Sequence, residues 1–309
     1  MRITLKHLEY FVTAGDTGSI KLASDKINIS QPSISSAIAH LERELGLQLF
    51  VRHHAQGLSL TASGTRMMRE AKVVLKHAGE LFVIAGELKG VISGPLSVGC
   101  LVTLAPMIVP ELGHKFLKQH PGVQLRITEG DHEKLLNQLR QVDIDAAITY
   151  NLQTPDDVVF EPLASLPPQI LISKDHPLAK KTSVKLRDID GLPMVLLDLP
   201  YSRQYFFSMF QNEGLTANVV AQSANQEVVR TMVANGYGFT ITNVRPKNLA
   251  ALDGRKLAAL KLEGRHTPMT IGVATLQQDQ KTRVLEAFEQ HCRELISDHQ
   301  IPGMTAVHS

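Results

Sequence analysis

The stretch NISQPSISSAIAHLERELG, Asn28 to Gly46, decides the reading of this chain. Its second half is an amphipathic helix, with Ile34, Ile38, Leu41 and Leu45 at the 4, 3, 4 spacing of one buried stripe. Its first turn is unusual, because a proline is followed by Ser33, Ser35 and Ser36, all poor interior helix formers. Ser30 stands where an N-cap belongs, and Pro32 is tolerated in a first turn, where an N–H has no intrahelical partner to lose. Upstream, Leu5, Leu8, Phe11 and Val12 give a first amphipathic helix that GDTG (15–18) ends. Ser19 caps a short second helix, SIKLASDKI, in which Ala23 is small enough for a close crossing. Two short helices, a turn at Asn28 and Ile29, and a capped third helix make a helix-turn-helix unit.

That unit gives the serines a role. A recognition helix meets the major groove with its N-terminal end, so base-facing residues lie in its first turns. Exposed N–H groups and the helix dipole favour a phosphate there. Gln31 suits adenine edges, and serine hydroxyls suit bases and phosphates; a merely solvated serine face is the plainer alternative. The next segment, LQLFVRHHAQGLSLTASG (47–64), reads as a hairpin. In it Leu47, Leu49 and Val51 alternate with Gln48, Phe50 and Arg52, and Gly57 makes the turn. Such a wing sets Arg52 and His53 against the sugar-phosphate backbone, which gives affinity without sequence choice. The DNA-facing set is therefore Ser30, Gln31, Pro32, Ser33, Ser35, Ser36, Arg52 and His53. The adjacent His53 and His54 point to opposite faces of a strand, so no metal site is expected from them.

At 309 residues the chain is longer than one usual domain, and 43% of it is apolar, enough for packed cores. The longest apolar runs, around residues 142–150 and 193–199, are far too short for a membrane span. MRITLKHLEYF lacks the pattern of a signal peptide. Cys100 and Cys292 supply neither a disulfide framework nor a zinc spacing. These features predict a cytoplasmic protein with no metal, cofactor or membrane partner. Net charge is only +2, but residues 1–89 hold eleven Lys/Arg against eight Asp/Glu, and five of the thirteen histidines. The basic bias is small.

Residues 65–89 form one uninterrupted helical pattern. Met67, Ala71, Val74, Ala78, Leu81, Ala85 and Leu88 keep heptad spacing, and Met68, Leu75 and Phe82 widen the seam. A seam so regular meets another helix, either of its own chain or of a second copy. The dimerisation face on the second reading is Ala71, Val74, Ala78, Leu81, Phe82 and Ala85. KGVISGP (89–95) reads as a hinge. Beyond it, strand candidates at 96–100, 123–129, 144–150, 169–173, 193–198, 218–222 and 238–244 alternate with helical runs, and a last helix covers about 279–297. Several of these strands have apolar residues on both faces, as covered parallel strands do, and alternating units predict an α/β architecture with right-handed crossovers and ligand sites at carboxyl ends of strands.

Together the front unit, FVTAGDTGSIKLASDKINISQPSISSAIAHLERELGLQLFVR with LTASG, and the later pieces GPLSVG, FLKQHPGVQLRITEG, VDIDAAIT, SKDHPLA and MVANGYGFTIT resemble the LysR-type transcriptional regulators. The resemblance covers nearly the whole chain, with the pieces in the family's order. It implies a multidomain α+β protein. A winged helix-turn-helix domain would occupy 1–64, a linker helix 65–89, a hinge 90–95 and a periplasmic-binding-protein-like effector domain 96–297. That domain would have two α/β lobes, about 96–162 with 269–297, and 163–268, followed by a flexible tail at 298–309. One departure stands out: the family often has Ser-Arg-Gln where this chain has Ser35, Ser36 and Ala37.

The resemblance also implies a non-enzymatic regulator that binds promoter DNA as an oligomer, commonly a dimer of dimers, and responds to a small molecule between the lobes. The family's cleft maps onto Cys100, Leu101, Val102 and Thr103. Facing positions are Thr149 and Tyr150, then Tyr201, Ser202 and Arg203, then Asn225 and Gln226. Thr103 and Ser202 each precede a helical pattern, so they suit an organic carboxylate, or simply cap their helices. Tyr201 suits an aromatic wall, and Arg203 either neutralises an anion or points to solvent. Cys100 is either an oxidant sensor or a buried, inert thiol. An enzyme is disfavoured by the lack of P-loop, G-x-S-x-G, G-x-G-x-x-G and H-E-x-x-H motifs. A transport-type solute-binding protein is disfavoured by the N-terminal DNA-reading unit.

Overall fold

The computed structural model describes residues 3–53, 57–87, 91–277 and 281–306, with the side chains of 80 and 82–87 also outside the described set. His54 and Leu88, and the side chains of Phe82 and Ala85, therefore lie outside it. Two compact units separate: Met1–Gly94 with Arg140–Asp143, and Pro95–Leu139 with Ile144–Ser309.

The first unit opens with helices α1 (Leu5–Thr17), α2 (Ile20–Ile27) and α3 (Gln31–Leu45). Thr4, Ser19 and Ser30 cap them by accepting from the N–H groups of His7, Leu22 and Ser33. Each helix ends on a residue in the left-handed region: Gly18, Asn28 and Gly46. Asn is the commonest non-glycine residue tolerated there, which is why the α2–α3 turn stays tight without glycine. Phe11, Ala14, Ala23, Ile34, Ile38 and Leu41 form the core, as the apolar spacing requires. Leu5 does not join it and is 49% exposed.

The wing is the antiparallel pair β1 (Phe50–His53) and β2 (Gly57–Leu60). Its inside and outside differ by one residue from the expected alternation. Leu49 and Phe50 are buried, whereas Leu47 and Val51 are exposed. A contact from α3 sets it: the Glu42 carboxylate accepts from the N–H groups of Leu49 at 2.8 Å and Phe50 at 3.3 Å, which fixes the backbone as it enters the strand. Phe50 then packs edge-on against Phe11, ring centroids 5.4 Å apart. Because side chains alternate along a strand, this one-residue shift sends Val51 outward. Helix α4 (Ala62–Glu87) follows, and its Met68 and Ala71 complete the core of this unit.

In the second unit, lobe I holds strands β3 (Ser93–Leu101), β4 (Gly122–Gly130), β5 (Ala146–Tyr150), β6 (Val158–Leu166) and β13 (Met269–Leu276). They lie in the order β4-β3-β5-β13-β6. Helices α5 (Ala105–Gln119), α6 (His132–Arg140) and α9 (Arg283–Leu295) belong with them. Lobe II orders β10 (Asn218–Ser223), β9 (Pro193–Leu197), β11 (Phe239–Thr242), β7 (Gln169–Ser173), β12 (Leu257–Glu263) and β8 (Ser183–Lys185) side by side, with α7 (Ser202–Asn212) and α8 (Gln226–Ala234). Both sheets are mixed. β13 runs antiparallel to β5 and β6, and β7 antiparallel to β11 and β12. Four strands escape a pattern reading: β6, β8, β12 and β13. β6 carries Pro162, which an edge strand accommodates.

The tail corrects another expectation. Residues 298–306 are packed: Ile301 and Met304 are each 2% exposed. The N–H of Ser165 donates to the Asp298 carboxylate at 2.6 Å, and that of Thr305 to the Arg245 carbonyl at 2.9 Å. No described helix is long and apolar enough to cross a membrane.

Candidate functional site

At the start of α3, Gln31, Pro32, Ser33 and Ser36 are exposed, Ser35 is half-buried and Ala37 is buried. Ser30 and Ser33 share a hydroxyl–hydroxyl hydrogen bond of 2.8 Å beside the cap. Arg52 is exposed across from Leu58, and the exposed His53 ring meets the Ser59 hydroxyl at 2.7 Å. The stripe on which Ser33 and Ser36 lie continues to His40 and Arg43, two residues that the reading of the first turn passed over. With Lys6, His7 and Tyr10 of α1 they line a groove of about 640 Å³. Helical spacing of 3 and 4 from Ser33 and Ser36 was the available signal. In α4, Val74 and Leu81 are exposed and Ala78 is half-buried, but Ala71 is buried in its own unit and is removed from the expected dimer face.

In the second unit the expected effector residues divide. Cys100 and Leu101 are buried at the end of β3, and the N–H of Val102 is held by the Gly130 carbonyl at 2.9 Å. Thr103 is buried but does not cap α5; Leu104 occupies the cap position without a side-chain hydrogen bond. Ser202 does not cap α7 either. It is the first helical residue, and Tyr201 takes the cap position at φ 64° and ψ −41° with no side-chain cap. Arg203 is ion-paired with Asp198 rather than free. Asn225 caps α8, accepting from the N–H of Glu227 at 2.9 Å and of Val228 at 3.4 Å. The Gln226 amide oxygen is buried without a hydrogen-bond partner among the described residues and lines a cavity of about 10 Å³ together with Arg230 and Thr240. That is room for roughly one water.

The lobes meet at Tyr201. Its ring lies edge-on to His132 of lobe I, centroids 5.3 Å apart. His132 is 3% exposed and shares a 2.9 Å hydrogen bond with the Thr149 hydroxyl, while its Nε2 has no hydrogen-bond partner among the described residues. Burial lowers the His132 pKa, so the ring is neutral at pH 7. The buried Tyr150 hydroxyl lies near that of Thr103 without a hydrogen bond of good geometry, and burial raises its pKa. Tyr205 donates to the Thr267 carbonyl at 2.8 Å and accepts from Asn243 at 3.0 Å; burial pushes its pKa up to about 12. Structure thus unites Tyr201 with His132 and Thr149, and Thr103 with Tyr150. His132, Tyr205 and Asn243 were missed. Only His132 carried a signal, since it opens a helix just beyond the carboxyl end of a strand.

Cys100 and Cys292 are both free and buried, and burial pushes both thiols well above the ordinary range. A thiol held protonated is a poor nucleophile toward oxidants. Among the described residues no group of three His, Cys, Asp or Glu is placed to hold a metal.

Residues 5–65 match the bacterial regulatory helix-turn-helix protein, lysR family, and residues 89–297 match the LysR substrate binding domain. The chain is similar to the crystal structure of HinK, a LysR family transcriptional regulator from Pseudomonas aeruginosa. Identity is 36%, with 95% of this chain and 99% of that chain covered and a TM-score of 0.65. A full-length OxyR variant from Pseudomonas aeruginosa is 26% identical, with 96% and 99% covered and a TM-score of 0.74. YvbU of Bacillus subtilis (strain 168), an uncharacterised HTH-type transcriptional regulator, is 28% identical over 77% of this chain and 81% of its own length. With a capped recognition helix and wing in one unit, two α/β lobes in the other, and family matches over both, the chain belongs to the LysR family of ligand-responsive, DNA-binding transcriptional regulators.

Proposed function

We propose that this regulator reads promoter DNA with the exposed start of α3 and the wing, and senses a small organic carboxylate or aromatic acid between its lobes. The observation that carries the effector reading is the pair of uncapped helix starts. Helices α5 and α7 follow β3 and β9 without a side-chain cap at either N-terminus. Few first-turn N–H groups stay open there: Pro106 has none, Met107 donates to the Leu104 carbonyl, and Ser202 and Arg203 donate to the Pro200 and Leu199 carbonyls, so the attraction for a carboxylate comes chiefly from the helix dipoles. Tyr201 and Tyr205 offer aromatic walls, while Thr103 and Ser202 offer hydroxyls. With Arg203 already paired, the anion is balanced by the positive ends of the helices rather than by that guanidinium.

Tyr201 holds a sparsely populated backbone conformation, of the kind that costs about 1–3 kcal/mol and clusters at ligand clamps. Binding at this contact between lobes favours one lobe arrangement, and that preference is the coupling free energy passed to DNA. The exposed Val74 and Leu81 of α4 give a second copy an apolar stripe to cover, as a dimer of dimers requires. The protein works on DNA in the cytoplasm and catalyses no reaction.

The test is thermal unfolding of the full-length protein with a panel of small carboxylates and aromatic acids. A ligand at 100 times its Kd stabilises the folded state by about 2.7 kcal/mol. A hit should lose its shift in Tyr201→Ala while DNA binding without effector persists. If hits are indifferent to Tyr201→Ala and to Ser202→Ala, the site lies elsewhere.

A further inference from the structure

We propose that the groove between α1 and α3 is a second DNA-contact site, which seats a backbone phosphate beside the recognition-helix start. The inference rests on the DNA reading above and extends it to residues that neither the family match nor the first-turn pattern assigns. The groove is lined by Lys6, His7 and Tyr10 from α1 and by Ser36, His40 and Arg43 from α3. Among the described residues no carboxylate lines it. Lys6 and Arg43 are exposed, and among the described residues neither has a carboxylate partner. The first turns of α1 and α3 also lack acidic residues, so both helix N-termini keep their positive ends.

Shape follows from the sequence. Ser33, Ser36 and Ala37 are short, and with larger side chains at these positions the groove would be filled. His7 is fixed at its edge: its Nδ1 accepts from the Thr4 N–H, its own N–H donates to the Thr4 hydroxyl, and its ring stands 4.9 Å from that of His40. The groove is continuous with the exposed Pro32 and Ser33 of the recognition-helix start. A concave basic surface running on from the reading edge is where the strand flanking a bound major groove must pass. Here Lys6 and Arg43 neutralise a phosphate, and the hydroxyls of Tyr10 and Ser36 donate to its oxygens. Such a contact restores affinity that short side chains at 36 and 37 forgo, without adding sequence choice.

The test is fluorescence anisotropy of the full-length protein on its own upstream fragment and on a scrambled duplex of equal length, between 50 and 200 mM salt. Lys6→Ala and Arg43→Ala should weaken both duplexes by a similar factor. The slope of log affinity against log salt should become shallower by about 0.9 per phosphate lost, which over that fourfold salt range is a change of about 3.5-fold in the ratio of wild-type to variant affinity. Gln31→Ala should change the ratio between the two duplexes instead. If Gln31→Ala and Arg52→Ala impair binding while Lys6→Ala and Arg43→Ala leave affinity and slope unchanged, the groove site is overturned and the DNA reading stands. If none of the four matters, both are overturned. Circular dichroism melts confirm that these surface variants fold.

Discussion

Two glycines in one helix give the sharpest check on how this chain holds its wing. Gly64 and Gly79 both lie in α4, and replacing glycine by alanine inside a helix ordinarily gains about 1 kcal/mol. Around Gly79 nothing among the described residues lies within 4 Å of an added Cβ, so Gly79→Ala should realise most of that gain. At Gly64 the added Cβ falls far inside contact with the Leu49 carbonyl oxygen, and 3.0 Å from its carbon. Backbone cannot rotate away as a side-chain tip can. Either the segment entering the wing moves, or the start of α4 does. That start is also where the Gly64 N–H donates to Thr61 at 2.8 Å, while the Thr61 hydroxyl donates to the Gln48 carbonyl at 2.7 Å. Overpacking costs about 1–3 kcal/mol and loss of the cap about 1. Against a helix gain of about 1, net destabilisation is about 1–3 kcal/mol. For a domain of this size that is a fall of roughly 5–20 °C in its melting temperature. Differential scanning calorimetry of the full-length protein, with DNA anisotropy in parallel, reads the effect. Gly64→Ala should lower the first-unit transition and weaken DNA binding; Gly79→Ala should do neither. Equal shifts of the same sign for both variants would refute the argument, and a loss for Gly79→Ala alone would show that another surface closes on that helix.

Two further outcomes follow from burial in the second unit. His132 and His291 are nearly fully buried, and burial lowers both pKa values below the ordinary 6.5. The unfolded chain therefore binds more protons than the folded one once pH drops below about 6.5, and stability falls with it. Urea midpoints at pH 7.5 and 5.5 should differ in the wild type and converge in a His132→Asn, His291→Asn double variant; equal midpoints in the wild type would contradict the sign. Ending the chain after residue 297 removes Ile301 and Met304 from the core, a loss of about 3–6 kcal/mol as an upper bound. An unchanged calorimetric transition in the truncated protein would mean that the tail packs without stabilising.

How much was legible in sequence differs between the two units. In the first, helix starts, the Asn28 turn and the buried stripe all follow from contacts within one or two turns, so reading them in line suffices. The wing register did not follow, because Glu42, seven residues before Leu49, fixes the backbone as it enters the strand. In the second unit the strands with dense apolar runs were found, but β12 and β13, lying next to strands far away in the chain, were not. Among site residues Thr103 and Ser202 lie beside α5 and α7, and the alternative that they merely cap these helices does not hold. Local spacing cannot show that Leu104 and Tyr201 take the cap positions.

The sequence by itself determined the DNA-reading end: a capped, proline-started helix with a short-side-chain front and an apolar back, because periodicity and capping act within a few residues. Only tertiary structure decided what surrounds that front and what meets across the lobes. The groove exists because α1 crosses α3 with Lys6 and His7 on the facing side, and Tyr201 meets His132 because two strands distant in the chain end at the same place. Neither juxtaposition leaves a periodic trace, since each depends on where the packed cores put the ends of separate elements.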